Sequence, residues 1–548
     1  NQLEYTKVFN EVHSFSAMLG QEMRSGSTSS YNQTNYGYLP EKGHIFVNLP
    51  EYRTEGTGNA MVVYTNPYLK NQPKLTRTKS NNISFYTALS YMYDNRYAVN
   101  VSVRADASNQ FGQDKSTRFR PIWALGFRWN VGSEHWLQGQ DLLSDMNIRF
   151  TYGFQGNVAN GVSPDLIATI TANPSSTGGG YSLKVPTLPA PGLKWEKVQS
   201  INLGTDFSLF KNHIMGSFEY YYKKTSDAFM SKTISDVNGF NTYVVNSGTL
   251  RNRGWNVGIT ATPVKTKDFN WILSGSLSKV TNTMSTLPGQ ETYELSDFLN
   301  GTAVVEGMPI GTFYSYKYMG LSPVDGGPMF DDWEDRKSEL VDLDKYSVYT
   351  KVLVPSGQRD PDMTGSINNT FNYKQWRLGI SLNYSIGGST RLFRMMEDFV
   401  NGYSAEANIN RDMLKAWKKP GDELTTDIPA IMGSASNGYN YYSYHWSSAS
   451  TSDVVKIADN AWTMYDYSDL RVVSADYLKI SSISLTYEFP RRILSRWKLE
   501  RLALTLGATN LYTFCNSKLR GQTPTQGGFS DIQLSDTPTY TIGLNLNF

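Results

Sequence analysis

The last ten residues, TYTIGLNLNF, put Tyr540, Ile542, Leu544, Leu546 and Phe548 on one parity and Thr541, Gly543, Asn545 and Asn547 on the other. Strict alternation defines an extended strand whose two faces meet different surroundings. The pattern recurs along the chain. Ile201, Leu203, Phe207 and Leu209 alternate with Asn202, Gly204, Asp206 and Ser208, and Ile214, Phe218, Tyr220 and Tyr222 with Met215, Ser217, Glu219 and Tyr221. Trp376, Leu378, Ile380, Leu382 and Tyr384 stand against Arg377, Gly379, Ser381 and Asn383, and Ile483, Leu485, Tyr487 and Phe489 against Ser484, Thr486 and Glu488.

Two settings produce such stripes. In a soluble sandwich the apolar face meets a second sheet. In a membrane barrel it meets lipid, and the polar face meets a wet lumen. Fourteen candidate strands can be marked, at 7–22, 79–93, 97–106, 118–131, 146–155, 199–209, 213–224, 253–264, 269–281, 365–373, 376–386, 476–489, 500–513 and 538–548. Most exceed the usual ~5–6 residues of a globular strand and reach the ~10 that a bilayer crossing takes. Their connections alternate in length. Tight joins at 94–96, 211–213, 265–268 and 374–375 are separated by long ones such as 156–198, 282–364 and 387–475. Short turns on one side and long loops on the other are the plan of an outer-membrane barrel. Aromatics close the stripes: Tyr220 and Tyr222, Trp376 and Tyr384, Tyr540 and Phe548, with Trp255 and Trp271 expected to flank the 265–268 turn. Such residues sit at membrane interfaces.

Composition agrees. Hydrophobic residues make up 39% of the 548 residues, while aromatics reach 13%, with 36 Tyr, 12 Trp and 45 Gly, which favours strands and turns over a helical core. The net charge of +2 implies no nucleic-acid partner. There is no apolar run of the ~18 residues a membrane helix needs. Cys515 is the single cysteine, and the five histidines are dispersed, so no disulfide framework, metal site or other cofactor is expected. No Ser/His/Asp grouping marks a catalytic centre, and no enzyme activity is expected. The opening NQLEYTKVFNEVHSF has no secretory leader and reads as the interior of a longer protein.

Several stretches, in order, resemble the C-terminal part of SusC/RagA-type TonB-dependent transporters of Bacteroidetes outer membranes: DNRYAVNVSVRADASNQFG (94–112), LKWEKVQSINLGTDFSLF (193–210), EYYYKKTSDAF (219–229), GTLRNRGWNVGI (248–259), EGMPIGTFYSYKYMGL (306–321), AWKKPGDELTTDIPAI (416–431), DYLKISSISLTYEFP (476–490) and LGATNLYTF (506–514). The resemblance implies an all-β, transmembrane antiparallel β-barrel with long extracellular loops, of which this chain supplies roughly the last fourteen of about 22 strands. Residues 1–548 then form the C-terminal portion of that barrel, with plug domain, TonB box and signal peptide outside them. An open sheet in lipid leaves two rows of unpaired backbone groups. The N-terminal half is therefore expected on a separate polypeptide or on a further part of the same one; a self-closed barrel ranks behind both.

The resemblance further implies TonB-dependent import of large nutrients, with TonB acting through the plug and a SusD-like surface lipoprotein covering the loops. The cargo implied by the resemblance is an oligosaccharide or an oligopeptide. A passive outer-membrane porin or adhesin, and a secreted glycan-binding β-protein, are the alternatives. The expected location is the bacterial outer membrane, C-terminus periplasmic and long loops extracellular. Candidate cargo- or lid-contacting aromatics are Tyr314, Tyr316, Trp417, Tyr439, Tyr441, Tyr442 and Trp446, since such rings stack on sugars and peptides at low entropic cost; packing of loop on loop is the competing role. Lumen-facing polar residues are expected at Asp206, Glu219, Arg377, Asn383 and Glu488, and lipid-facing ones at Leu378, Ile380, Leu382, Ile542, Leu544, Leu546 and Phe548. Segment 391–417 has helical spacing at Leu392, Met395, Met396 and Phe399 and is expected to form an extracellular helix. The acids Asp325, Asp331, Asp332 and Asp335 are expected to be solvated loop residues rather than calcium ligands.

A charge on the lipid face costs about 2–4 kcal/mol at mid-membrane. Leu544→Arg is therefore expected to impair assembly while Asn545→Arg is tolerated; equal yields of heat-modifiable protein in isolated outer membranes would contradict the two-solvent reading.

Overall fold

A computed structural model describes residues 1–47, 52–57, 60–65, 74–109, 119–137, 140–157, 166, 168–171, 182–185, 188–190, 192–233, 242–286, 293–396, 409–433, 436–448, 459–495, 499–519, 521–526 and 534–547. One antiparallel sheet dominates it. Its strands are β1 (Gln2–Phe9), β2 (His13–Asn32), β3 (Lys74–Tyr93), β4 (Tyr97–Ser108), β5 (Arg120–Asn130), β6 (Leu143–Asn157), β7 (Glu196–Leu209), β8 (Ile214–Thr233), β9 (Thr242–Lys265), β10 (Phe269–Thr286), β11 (Met363–Tyr373), β12 (Trp376–Ile386), β13 (Tyr477–Glu488), β14 (Arg501–Cys515) and β15 (Thr539–Asn547). Each pairs with the next in chain order, so the sheet is an uninterrupted meander. β1 and β15 are its edges.

Fifteen strands replace the fourteen expected, because 7–22 is not one strand. Asn10 and Glu11 adopt left-handed backbone at φ 47° and 62°, which folds β1 back onto β2. Mirror-image turns of this kind match the twist of paired strands, and Asn and Asp tolerate them best. Asp94 and Asn95 do the same between β3 and β4. The connections at 10–12, 94–96, 131–142, 210–213, 266–268, 374–375 and 489–500 all lie at one end of the sheet. The intervening connections, among them 287–362 and 387–476, lie at the other. The strands are also longer than expected: β2, β3 and β8 have 20 residues each and β9 has 24. About ten residues suffice for a bilayer, so these strands continue past it on the long-loop side.

Register aligns the stripes. Tyr91, Val99, Phe127, Phe150, Leu203 and Tyr220 are consecutive cross-strand partners on β3 to β8, and all six are exposed. One step along the strands, Ser90, Asn100, Gly126, Thr151 and Asn202 form the matching polar row on the opposite face. Leu378, Ile380 and Leu382 pair with Leu485, Ile483 and Ile480. The bulge beside Ser381 absorbs one residue, so Ile480 and Ile483 both reach the apolar face despite odd spacing. Ile542, Leu544 and Leu546 continue that face beside Leu506, Leu504 and Leu502, with Ile542 79% exposed. Phe548 lies outside the described residues.

Two aromatic rims bound the apolar face. Near the short turns, His13, Tyr93, Tyr97 and Trp129 are successive partners, and Trp376 packs on Tyr487 at 4.7 Å. The other rim holds Trp123, Tyr152, Tyr220 and Trp255. Trp255 and Trp271 do not flank the same turn: Trp271 pairs with Val264 beside it, whereas Trp255 pairs with Tyr220 at the far rim. On the polar face, Arg149 meets Asp206 at 3.1 Å, Asn202 donates to Thr151 at 2.9 Å and Glu488 meets Arg501. Glu219, Arg377 and Asn383 share this face, paired with Gly204, Asn372 and Ser366.

Candidate functional site

The described residues of the connections 287–362 and 387–476 fold together into a lobe at the long-loop end. Within it lie helices α1 (Leu295–Leu299), α2 (Lys345–Val352), α3 (Asn437–Ser448) and α4 (Ala461–Asp466). Side chains start these helices: Asp344 accepts from Ser347 N at α2, and Asn460 from Thr463 N at α4. Short ladders join distant segments. Thr312–Ser315 pairs with Val354–Gln358, and Ser389–Arg391 with Val472–Ser474. The interior is aromatic, with Phe298, Tyr316, Phe330, Tyr349, Trp462 and Tyr465 buried.

Arg391 holds the lobe together. It is fully buried, and its guanidinium donates to the carbonyls of Leu299, Tyr314 and Ser468 and to Ser315 Oγ at 3.0–3.2 Å. Its own carbonyl accepts from Gln522 Nε2 at 2.8 Å, which ties in the 516–538 connection. Burial pulls its pKa down to about 10. Nearby, the buried Asp466 accepts from the backbone N–H groups of Met395 and Met396 at 2.7–3.0 Å. Those bonds explain why Leu392, Met395 and Met396 are buried on irregular backbone rather than on the expected helix. Residues 397–408, Phe399 among them, lie outside the described residues; beyond them the described chain forms the short 3₁₀ turn Arg411–Lys415.

The aromatics anticipated as contact residues separate into two groups. Tyr314, Tyr316 and Tyr442 are 3%, 4% and 5% exposed, so their rings pack loop on loop. Tyr442 donates to Asp325 Oδ1 at 3.0 Å. Its ring lies where a side chain on Gly327 would stand, and the Trp417 ring lies where one on Gly326 would. The pair Gly326–Gly327 thus exists for these two rings, a signal present in the sequence but unreadable without the fold. Trp417 is half-buried and donates to Glu423 at 3.0 Å; Tyr439 is half-buried against Trp462 at 5.1 Å. Tyr441 alone among the described rings of this set is exposed, stacked on His445 at 4.7 Å. Trp446 is on α3, but its side chain lies outside the described set. Asp331 pairs with Arg336 at 2.7 Å, and Asp332 lies 3.4 Å from His445.

Two adjoining clefts open beside this core, of about 360 and 270 Å³, and share Leu392, Asp412, Arg471 and Lys518. Arg411 lines the first, Lys415 and Asp427 the second. Sequence patterning singled out only Leu392 among these residues, and as a helical position rather than a cleft wall. They come from two separate connections, 387–476 and 516–538, and charges at irregular spacing read as ordinary loop residues.

A long-stranded meander with two aromatic rims, short turns at one end and a packed lobe at the other defines a β-barrel protein of the outer membrane. Residues 4–548 match the family model described as TonB dependent receptor-like, beta-barrel, and the chain belongs to that family. TonB-dependent receptor P3 of Formosa agariphila is 24% identical across the whole chain and 52% of its own length; TonB-dependent receptor SusC of Bacteroides thetaiotaomicron is 26% identical over 86% of the chain and 44% of its own. The chain spans about half the length of the curated relatives it matches. Among solved structures, the RagAB peptide transporter superposes with a TM-score of 0.74 at 20% identity, over the whole chain and 55% of that one.

Replacing Arg391 by Met orphans four acceptors and is expected to cost the lobe about 2–4 kcal/mol. The loops should be nicked faster by protease while the sheet keeps its heat-modifiability. Burial also raises the phenol pKa values of Tyr349 and Tyr442 to about 12. An unfolded phenol ionises near 10. The stability these tyrosines contribute is thus complete below pH ~10 and lost as pH rises towards ~12. Tyrosinate absorbance titrated against loop proteolysis should show the lobe opening in that window, before the sheet.

Proposed function

We propose that this chain forms the C-terminal wall and loop lobe of a TonB-dependent importer for large nutrients, oligosaccharides or oligopeptides. A SusD-like lipoprotein covers the lobe, and TonB acts through a plug contributed from outside residues 1–548. Strands beyond β1 and β15 complete the cylinder, because an unpaired strand edge in hydrocarbon costs several kcal/mol per orphaned group. The short turns and C-terminus face the periplasm and the lobe faces outward.

The observation that carries this reading is the asymmetry between the two ends. Outer-membrane barrels in general carry longer loops on one side, but here the long connections build a lobe with its own buried core and polar clefts. Mixed cations and carboxylates around those clefts suit a zwitterionic or hydroxyl-rich cargo. The polar face of the sheet, with Asp206, Glu219, Arg377, Asn383 and Glu488, lines the lumen or meets the plug. Leu378, Ile380, Leu382, Ile542, Leu544, Leu546 and Phe548 lie against lipid. The exposure of Tyr441 supports it as the ring that touches cargo or lid.

Uptake of fluorescent oligosaccharide and oligopeptide pools by cells expressing the complete protein tests the import reading. Uptake should stop when TonB is deleted or the proton gradient collapsed; transport that persists in both would make the barrel a passive pore. Tyr441→Ala is expected to weaken cargo or lid binding about tenfold, the loss of one stacking contact, without altering assembly. In a Cys515→Ser background, Asn437→Cys should react with an impermeant maleimide on intact cells and Asn212→Cys should not.

A further inference from the structure

Five cations gather on the apolar-parity face of β7 to β10, at the far aromatic rim and just beyond it. Tyr220 and Trp255 are cross-strand partners, and Trp255 pairs in turn with Lys279. One pair further along, Tyr222 faces Arg253; the next places Lys224 directly opposite Arg251. Lys224 also pairs with Gln199, two residues from Lys197 on the same face. Lys197, Arg251 and Arg253 are exposed, and Lys224 and Lys279 partly so. Among the described residues none of the five is in an ion pair. The nearby carboxylates are engaged elsewhere: Asp227 meets Lys194 at 3.2 Å, Asp362 accepts from Gln358, and Glu196 accepts from the Phe229 N–H.

Like charges directly opposite on neighbouring strands are destabilising. Lys224 and Arg251 nevertheless face each other, with Arg253 beside them. A counter-charge from outside the protein resolves the conflict. The apolar stripe below the cluster limits what that counter-charge is. On β9 it runs through Ile259, Val257 and Trp255 before reaching Arg253, so the cations begin where hydrocarbon ends and headgroups begin. A cleft of about 290 Å³ opens at the same level. The β5–β6 ladder stops at Ala124 and Gly153 although both strands continue, and Trp123 and Phe154 line the fork. Lys197 Nζ sits 4.3 Å over the Phe154 ring at its edge. Asp106 also lines the cleft but is held by Arg104 at 2.7 Å.

We propose that this cluster is a binding site for the phosphate of an anionic lipid in the leaflet on the long-loop side, with the lipid's apolar part against the rim and the fork. The placement in that leaflet rests on the orientation proposed above; the binding itself does not. Lys224, Arg251 and Arg253 hold the phosphate, Lys197 and Lys279 flank it, and bidentate guanidinium contacts supply the geometry. The lipid thereby neutralises the facing charges of β8 and β9 and clamps the four strands at their outer ends.

The complete protein, reconstituted in nanodiscs of phosphatidylcholine doped with lipid A in either phosphorylated or dephosphorylated form, tests this. Both nanodisc leaflets present the same lipids, so the result does not depend on which way the protein sits in cells. Native mass spectrometry should show retention of phosphorylated lipid A and little of the stripped form. Retention should fall at least about tenfold in the K224Q/R251Q/R253Q variant, since each cation near an anionic surface contributes substantially. R251K/R253K, which keeps the charge, should retain most of it. Heat-modifiability, expected unchanged in both variants, reports folding. Equal retention of the two lipid A forms, or no loss in the triple Gln variant, overturns the proposal. So does loss of a co-purifying protein from the triple Gln variant with its lipid unchanged, which would make the cluster a protein contact.

Discussion

Every backbone N–H and C=O within hydrocarbon must find a partner in the protein, because no water is there to supply one. That constraint governs the rest of this molecule. It selects a meander of fifteen strands in which each is bonded to its sequence neighbour. At the short-turn end several connections are tight, with Asn10, Glu11, Asp94 and Asn95 taking left-handed backbone to turn the chain. Once the ladder is fixed, side chains alternate without choice, and a one-residue slip would carry Leu203 from the apolar face to the face of Asn202. The bulge at Ser381 shows the same pressure locally: an extra residue is absorbed so that Ile480 and Ile483 both stay on the greasy side.

The lobe obeys the opposite rule. Its connections lie beyond the strand ends, where water satisfies the backbone, so irregular chain is allowed and burial drives the folding instead. The aromatics Phe298, Tyr316 and Trp462 give it a core, and Arg391 satisfies carbonyls that no regular ladder reaches. Because Arg391 is the last residue of the short strand Ser389–Arg391 leading out of β12, the lobe is anchored to the wall rather than hung from it. The cations on β7 to β10 lie at the boundary between the two regimes. There the sheet still dictates which face a side chain takes, but the surroundings are no longer hydrocarbon.

Much of the wall was legible in the sequence because strand parity is a local property. Alternation in 199–209, 376–386 and 538–548 gave face and direction without knowledge of neighbours, and the asymmetry of connection lengths gave the topology. Errors arose where a local signal had two solutions. Segment 7–22 reads as one long stripe because Phe9 and His13 are partners across a turn and carry the pattern through it. Leu392, Met395 and Met396 have helical spacing, yet the buried carboxylate of Asp466 captures the N–H groups of Met395 and Met396 instead. Trp255 and Trp271 are close in sequence but belong to opposite rims, since β9 is long enough to separate them.

The sequence by itself determined that this chain is a set of two-faced strands with short turns at one end, because periodicity and turn chemistry need only residues near one another. Only the tertiary structure decided what the loop aromatics do, since burying Tyr314, Tyr316 and Tyr442 while leaving Tyr441 exposed depends on segments more than a hundred residues apart meeting in one core. It also decided that Lys197, Lys224, Arg251, Arg253 and Lys279 form one cluster. Their spacing along the chain carries no such information; the cross-strand register alone brings them together.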